Sequence, residues 1–125
     1  MPYAFASETY AAKFNALMGK NMKSETSAPS KILEAQALWD ATMAFSIAEQ
    51  TKKERNALVV HLNGSFHTEN RLGTAEQVLK INPKTKILVV TMRYEDEFTK
   101  FDKAKHDNLG DFVILTDAKV PRSFK

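Results

Sequence analysis

Three short apolar runs rich in β-branched residues constrain this chain most: ALVVHL at 57–62, KILVVTM at 86–92 and FVIL at 112–115. Each has the length of a strand and is too short for a buried helix. Between them lie stretches with helical spacing and polar turn residues, not the tight turns of hairpins. Strands separated by helical connections pair in parallel, with the helices laid on the sheet faces. The first two runs are almost uninterruptedly apolar, the pattern of strands covered on both sides.

The remaining elements follow from periodicity and punctuation. Tyr10, Phe14, Leu17 and Met18 form a short helical stripe over 7–18, and Gly19 is a natural stop. Asn21 to Pro29 is Ser-rich and aperiodic, so it reads as a connector. From Ser30 to about Glu54 the spacing of Ile32, Gln36, Trp39, Met43 and Ile47 predicts a long helix, with Ser30 as its cap, Trp39 in the core and Lys52 and Lys53 at its negative end. Thr74 and Gln77 have the spacing of a capping box for a short helix that ends at Asn82-Pro83. Phe98, Phe101 and Ala104 or Lys105 suggest another helix within 94–106, closed by Asn108-Leu109-Gly110.

The expected fold class is α/β: a small three-stranded, mostly parallel sheet flanked by helices. The chain divides into a helix and connector (1–29), a long helix (30–56) and a β-α-β-α-β unit (57–125), as a single or partial domain. Three parallel strands leave both sheet edges open. The expectation is therefore the C-terminal half of a larger α/β domain, completed by a missing N-terminal half or by a homodimer.

Composition excludes several functions. There is no cysteine, which removes disulfides, thiolate metal sites and cysteine nucleophiles. The net charge of +3 is spread along the chain, without the dense basic tract of a nucleic-acid binder. No apolar run is long enough for a transmembrane span. Ala4-Phe5-Ala6 resembles a signal-cleavage tripeptide but lacks the basic and apolar regions that precede one. Dinucleotide and phosphate-loop fingerprints and the zincin motif are missing, and Gly64-Ser65 lacks the second glycine of a hydrolase elbow.

Candidate site residues gather where the first strand runs into a polar turn, because open α/β sheets bind ligands past the carboxyl ends of their strands. His61 and His67 are both there, and neutral imidazole ligates zinc, copper and haem iron. His61 shares strand parity with Val59, the place of a hydrogen-bonded core histidine. His67 sits in a loop, where binding groups concentrate. Gly64 is a turn residue or a point of close backbone approach. Arg71 is a solvated cation or a clasp for a carboxylate. Tyr94, just past the second strand, is an amphipathic cap or a phenolate ligand for ferric haem. On the long helix, Asp40 and Gln36 interrupt an apolar surface and need partners. For Asp40 the plainer reading is a structural bond to a neighbouring loop, the sharper one a contact that orients a histidine.

Together, AQALWDATMAFSIAE (35–49), VVHLNGSFHTENRLGTAEQV (59–78), KILVVTMR and GDFVILTD resemble the closing portion of the ChaN-like haem-binding lipoprotein family. That family is similar in architecture to erythromycin-esterase and TraB-like proteins, which carry an early G-E-x-H type motif and a later G-x-x-H motif. Only the later one is present here, at Gly64 and His67. The resemblance implies a bacterial cell-envelope protein that binds haem in iron uptake, with His67 or Tyr94 as axial ligand and Arg71 near a propionate. The alternatives are a metal-dependent hydrolase with a divalent metal on His67 and His61, and a non-catalytic fragment completed by a partner chain.

Overall fold

A computed structural model describes residues 6–19 and 28–121. Most of the expected connector, and part of the Ala4-Phe5-Ala6 tripeptide, lie outside them. In chain order the elements are α1 (Glu8–Gly19), α2 (Ala28–Lys53), two 3-10 turns (Ser65–His67 and Glu69–Arg71), α3 (Thr74–Ile81), β1 (Val90–Glu95), α4 (Lys103–His106) and β2 (Phe112–Asp117). The α2 helix begins two residues before the expected cap, so Ser30 lies within its first turn, and Pro29 takes a place where a missing N–H costs nothing.

The helical core is built on small residues. Ala37, Ala41 and Ala44 recur along one side of α2 and are buried, together with Asp40 between them. Alanine at these spacings lets neighbouring helices approach closely. Tyr10 and Phe14 of α1 and Ala75 and Val78 of α3 complete the cluster, and both α1 and α3 pack against α2. The buried stripe is thus rotated from the bulky one read in the sequence. Trp39, expected in the core, is exposed on the far side.

The sheet has two strands, not three. β1 and β2 pair in parallel, from Val90 opposite Phe112 to Glu95 opposite Asp117. The expected first strand, 57–62, carries no strand assignment, and no ladder bond reaches it. Strand propensity alone does not make a strand, which requires a neighbour to accept its backbone bonds. Nor are the strands covered on both sides. Val89, Thr91 and Leu109 are buried, while Leu88, Val90, Met92, Tyr94, Phe112 and Ile114 are exposed. Alternate residues of a strand point to opposite faces, so one apolar face lies open among the described residues. The helix expected within 94–106 shrinks to α4, capped by Asp102, whose side chain accepts from the Ala104 amide.

Candidate functional site

The Asp40 side chain organises this site. It projects from the middle of α2 and is 1% exposed. Burying a carboxylate requires donors, and three groups supply them. The Tyr10 hydroxyl of α1 donates to Oδ2 at 2.5 Å. The Thr74 hydroxyl, at the start of α3, donates to Oδ1 at 2.6 Å. The His67 ring places Nδ1 2.9 Å from the same Oδ1. Burial holds the Tyr10 phenol far above its ordinary range, and the hydrogen bond to Asp40 and its charge push the same way, so the hydroxyl keeps its proton and donates.

These bonds define the chemistry of His67. A carboxylate only accepts, so Nδ1 carries the ring proton and Nε2 of the neutral ring holds a free lone pair. The side chain is 18% exposed, so the ring is neither sealed in nor loose in solvent. An imidazole oriented by a carboxylate, with its other nitrogen bare, is the arrangement of metal-ligating histidines and of general bases.

The turn that carries His67 is clamped from two sides. The Lys13 ammonium donates to the carbonyls of Phe66 at 3.0 Å and Glu69 at 3.2 Å, and stands 4.6 Å from the Phe66 ring centroid. Burial lowers its pKa, with Glu69 partly opposing. Arg93 of β1 reaches the buried Glu69 carboxylate at 2.7 Å. The Phe66 ring lies against Tyr10 and Phe14. Residues 65–71 are therefore fastened to α1 on one side and to the sheet on the other.

Gly73 is the glycine this geometry demands. Its φ is +56°, and an added Cβ would sit 2.5 Å from the His67 carbonyl oxygen and 2.9 Å from Asp40 Oδ2. Only glycine tolerates such an approach at that backbone angle. Gly64, singled out in the sequence, has ordinary extended dihedrals. A Cβ there would make an ordinary 3.8 Å contact with His67 Cδ2.

Other sequence candidates are placed elsewhere. His61 is exposed on the extended segment and makes no hydrogen bond, so it is not a core histidine. Among the described residues no group of three or more His, Asp or Glu side chains is placed to hold a metal ion. Arg71 is engaged with Asp111 and with the Ile87 carbonyl. Tyr94 alternates with Arg93, so it faces away from the side of β1 on which Arg93 meets the His67 turn. A hollow of about 520 Å³ opens past the carboxyl end of β1, lined by Glu95, Phe101, Asp102, Lys105 and His106 among others, and no residue of the His67 turn borders it.

Sequence reasoning missed Tyr10, Thr74 and Gly73. The hydroxyl within an apolar helical stripe was the available signal for Tyr10. The capping-box spacing misdirected Thr74: Gly73 precedes the helix, no side chain caps it, and the Thr74 hydroxyl turns to Asp40 instead. Both sequence readings of Asp40 hold at once, because it binds a neighbouring loop by orienting a histidine.

Comparison with protein families matches residues 1–78 to the haem-binding uptake family ChaN, of the Tiki superfamily. The chain belongs to the ChaN family. The match spans Tyr10, Asp40, His67, Gly73 and Thr74, and so contains the Asp40 network, while Arg93, which braces the turn through Glu69, lies beyond it. The strands β1 and β2, part of the resemblance read in the sequence, lie beyond the matched residues. No curated protein and no solved structure matches the chain.

Proposed function

We propose that this ChaN-family chain binds haem, and that His67 is the residue whose Nε2 would hold the iron. The observation that carries the reading is the Asp40–His67 pair, which keeps Nδ1 protonated and leaves Nε2 bare on a partly exposed ring. The donor set fits the group: one imidazole whose far nitrogen is held by a carboxylate, which fixes the ring's orientation. Bound haem supplies an iron centre, and the chain's own residues fix the ring's tautomer and direction. Gly64 leaves space beside the imidazole edge, where a side chain would crowd a guest. Tyr94 and Arg71 serve as further contacts only if they leave their present partners or face, so His67 takes precedence. A role in bacterial iron uptake at the cell envelope is part of the same proposal; the family's description supports its haem-uptake part.

The test is titration with haemin followed by the Soret band. The wild-type chain is expected to give a saturable, red-shifted band typical of histidine ligation. His67→Ala should lose that shift, and Asp40→Asn should weaken affinity about 10–100-fold, as loss of an outer-shell partner does. A wild-type spectrum identical to free haemin would overturn the reading. The hydrolase alternative, with a divalent metal on His67 and His61, draws less support, since the described residues hold no metal-binding cluster.

A further inference from the structure

His106 closes α4 and is 3% exposed, yet its ring borders the hollow past the carboxyl end of β1. Three contacts fix that ring. The Asp102 amide donates to Nδ1 at 3.0 Å, and Nε2 lies 3.0 Å from Glu95 Oε1. The Phe101 ring stands 5.3 Å away between centroids. An imidazole that accepts at Nδ1 is neutral, because a charged ring carries hydrogen on both nitrogens. Phe101 and Asp102 end the turn that leaves β1 and lines the hollow. That turn bonds to itself, the Lys100 amide donating to the Glu97 carbonyl at 2.9 Å. The amide at its end is therefore pinned by a side chain whose charge changes with pH.

We propose that His106 is an acid-released latch: a second ring proton expels the Asp102 amide and frees the turn at 96–101, which opens the hollow. Protonation converts Nδ1 from acceptor to donor, so two N–H groups face each other across the former bond. The ring is held against turning away. Glu95 grips Nε2 more strongly once the ring is charged, and an aromatic neighbour such as Phe101 attracts a cation. A half-turn of the ring brings no relief, since both nitrogens then carry hydrogen. Asp102 Oδ1 caps α4 by accepting from the Ala104 amide at 2.9 Å, so a swing of that carboxylate toward the new N–H loosens the same junction. The other charges around the hollow offset one another. Lys105 lies 3.7 Å from Glu95, Lys100 pairs with Glu97 at 2.9 Å, and Asp96 and Lys103 complete the lining. No residue of the His67 turn borders this hollow, so the latch stands apart from the haem proposal.

The test is an NMR titration of the full, isotope-labelled chain. Before protonation the His106 ring nitrogens should show the Nε2–H tautomer. As the ring takes its second proton, the Asp102 amide should shift with the same midpoint. Its hydrogen-exchange protection factor should fall about 3–10-fold, the worth of one such bond. The Phe112 amide, bonded to the Val89 carbonyl, should keep its protection. Backbone order parameters over 97–101 should drop in step with the ring. Glu95→Gln keeps an acceptor at Nε2 and removes its charge, so it should displace the ring and amide curves together. An Nδ1–H tautomer before protonation, an Asp102 amide that ignores the ring, turn order that stays constant, or curves that separate in Glu95→Gln would each overturn the latch.

Discussion

Asp40 shows how one buried charge recruits residues from separate parts of a chain. Tyr10, His67 and Thr74 are distant in sequence and meet on two oxygens. Removing one donor leaves the carboxylate under-satisfied, and hydrogen bonds to charged groups are worth roughly 1.5–3 kcal/mol each. Tyr10→Phe is therefore expected to lower unfolding free energy by about that amount in urea titrations, with helix content retained. Gly73→Ala should cost about 1–3 kcal/mol in the same assay, because the new methyl group meets the His67 carbonyl at a backbone angle alanine avoids. Gly64→Ala, with ordinary dihedrals and only a van der Waals contact for its new methyl group, should be nearly neutral for folding.

At the level of elements, the joints between β1, α4 and β2 are electrostatic. Asp111, just before β2, accepts from the Val89 amide and pairs with Arg71. The Val89 bond first, and the guanidinium second, hold its carboxyl below the usual range. At the other end of the sheet, the Asp102 amide donates to His106 Nδ1, so Nε2 carries the ring proton and donates to Glu95 at 3.0 Å. That bond, assisted by Lys105, lowers the Glu95 carboxyl. Both carboxyls are depressed on folding. Their stabilisation is present above the unfolded values of about 3.9 for Asp and 4.3 for Glu, and fades as pH falls through the lower folded values. Carbon-detected NMR titration should find both midpoints below those references. Arg71→Met should raise the Asp111 midpoint only partway, since the Val89 amide remains.

Over the whole molecule, the helical half is closed and the sheet half is open. Small residues let α1, α2 and α3 bury their contacts, while β1 and β2 cover one face and leave Val90, Met92, Phe112 and Ile114 in solvent. An open apolar face of this kind binds hydrophobic dyes. Met92→Lys is expected to reduce 1-anilinonaphthalene-8-sulfonate fluorescence at a nearly unchanged urea midpoint, because the substituted side chain is mostly exposed. The same openness explains where sequence reading went astray. Apolar runs at 57–62 and 86–92 carried the signature of strands buried on both faces, but burial depends on neighbours that periodicity does not reveal. The long helix was legible from its spacing, yet which stripe faces inward was not, because alanines that permit close packing carry little hydrophobic signal beside Trp39.

The sequence by itself determined the α/β class, the helices α1 to α3, the parallel sense of the last two strands and His67 as the residue to examine. Those follow from local spacing, breakers and the length of connections, which act over a few residues. Only the tertiary structure decided that Asp40 holds His67 by its Nδ1, that Tyr10 and Thr74 hold Asp40, and that Gly73 makes room for them. A hydrogen-bond network of this kind joins side chains far apart in the chain, and its geometry exists only once α1, α2 and α3 have packed.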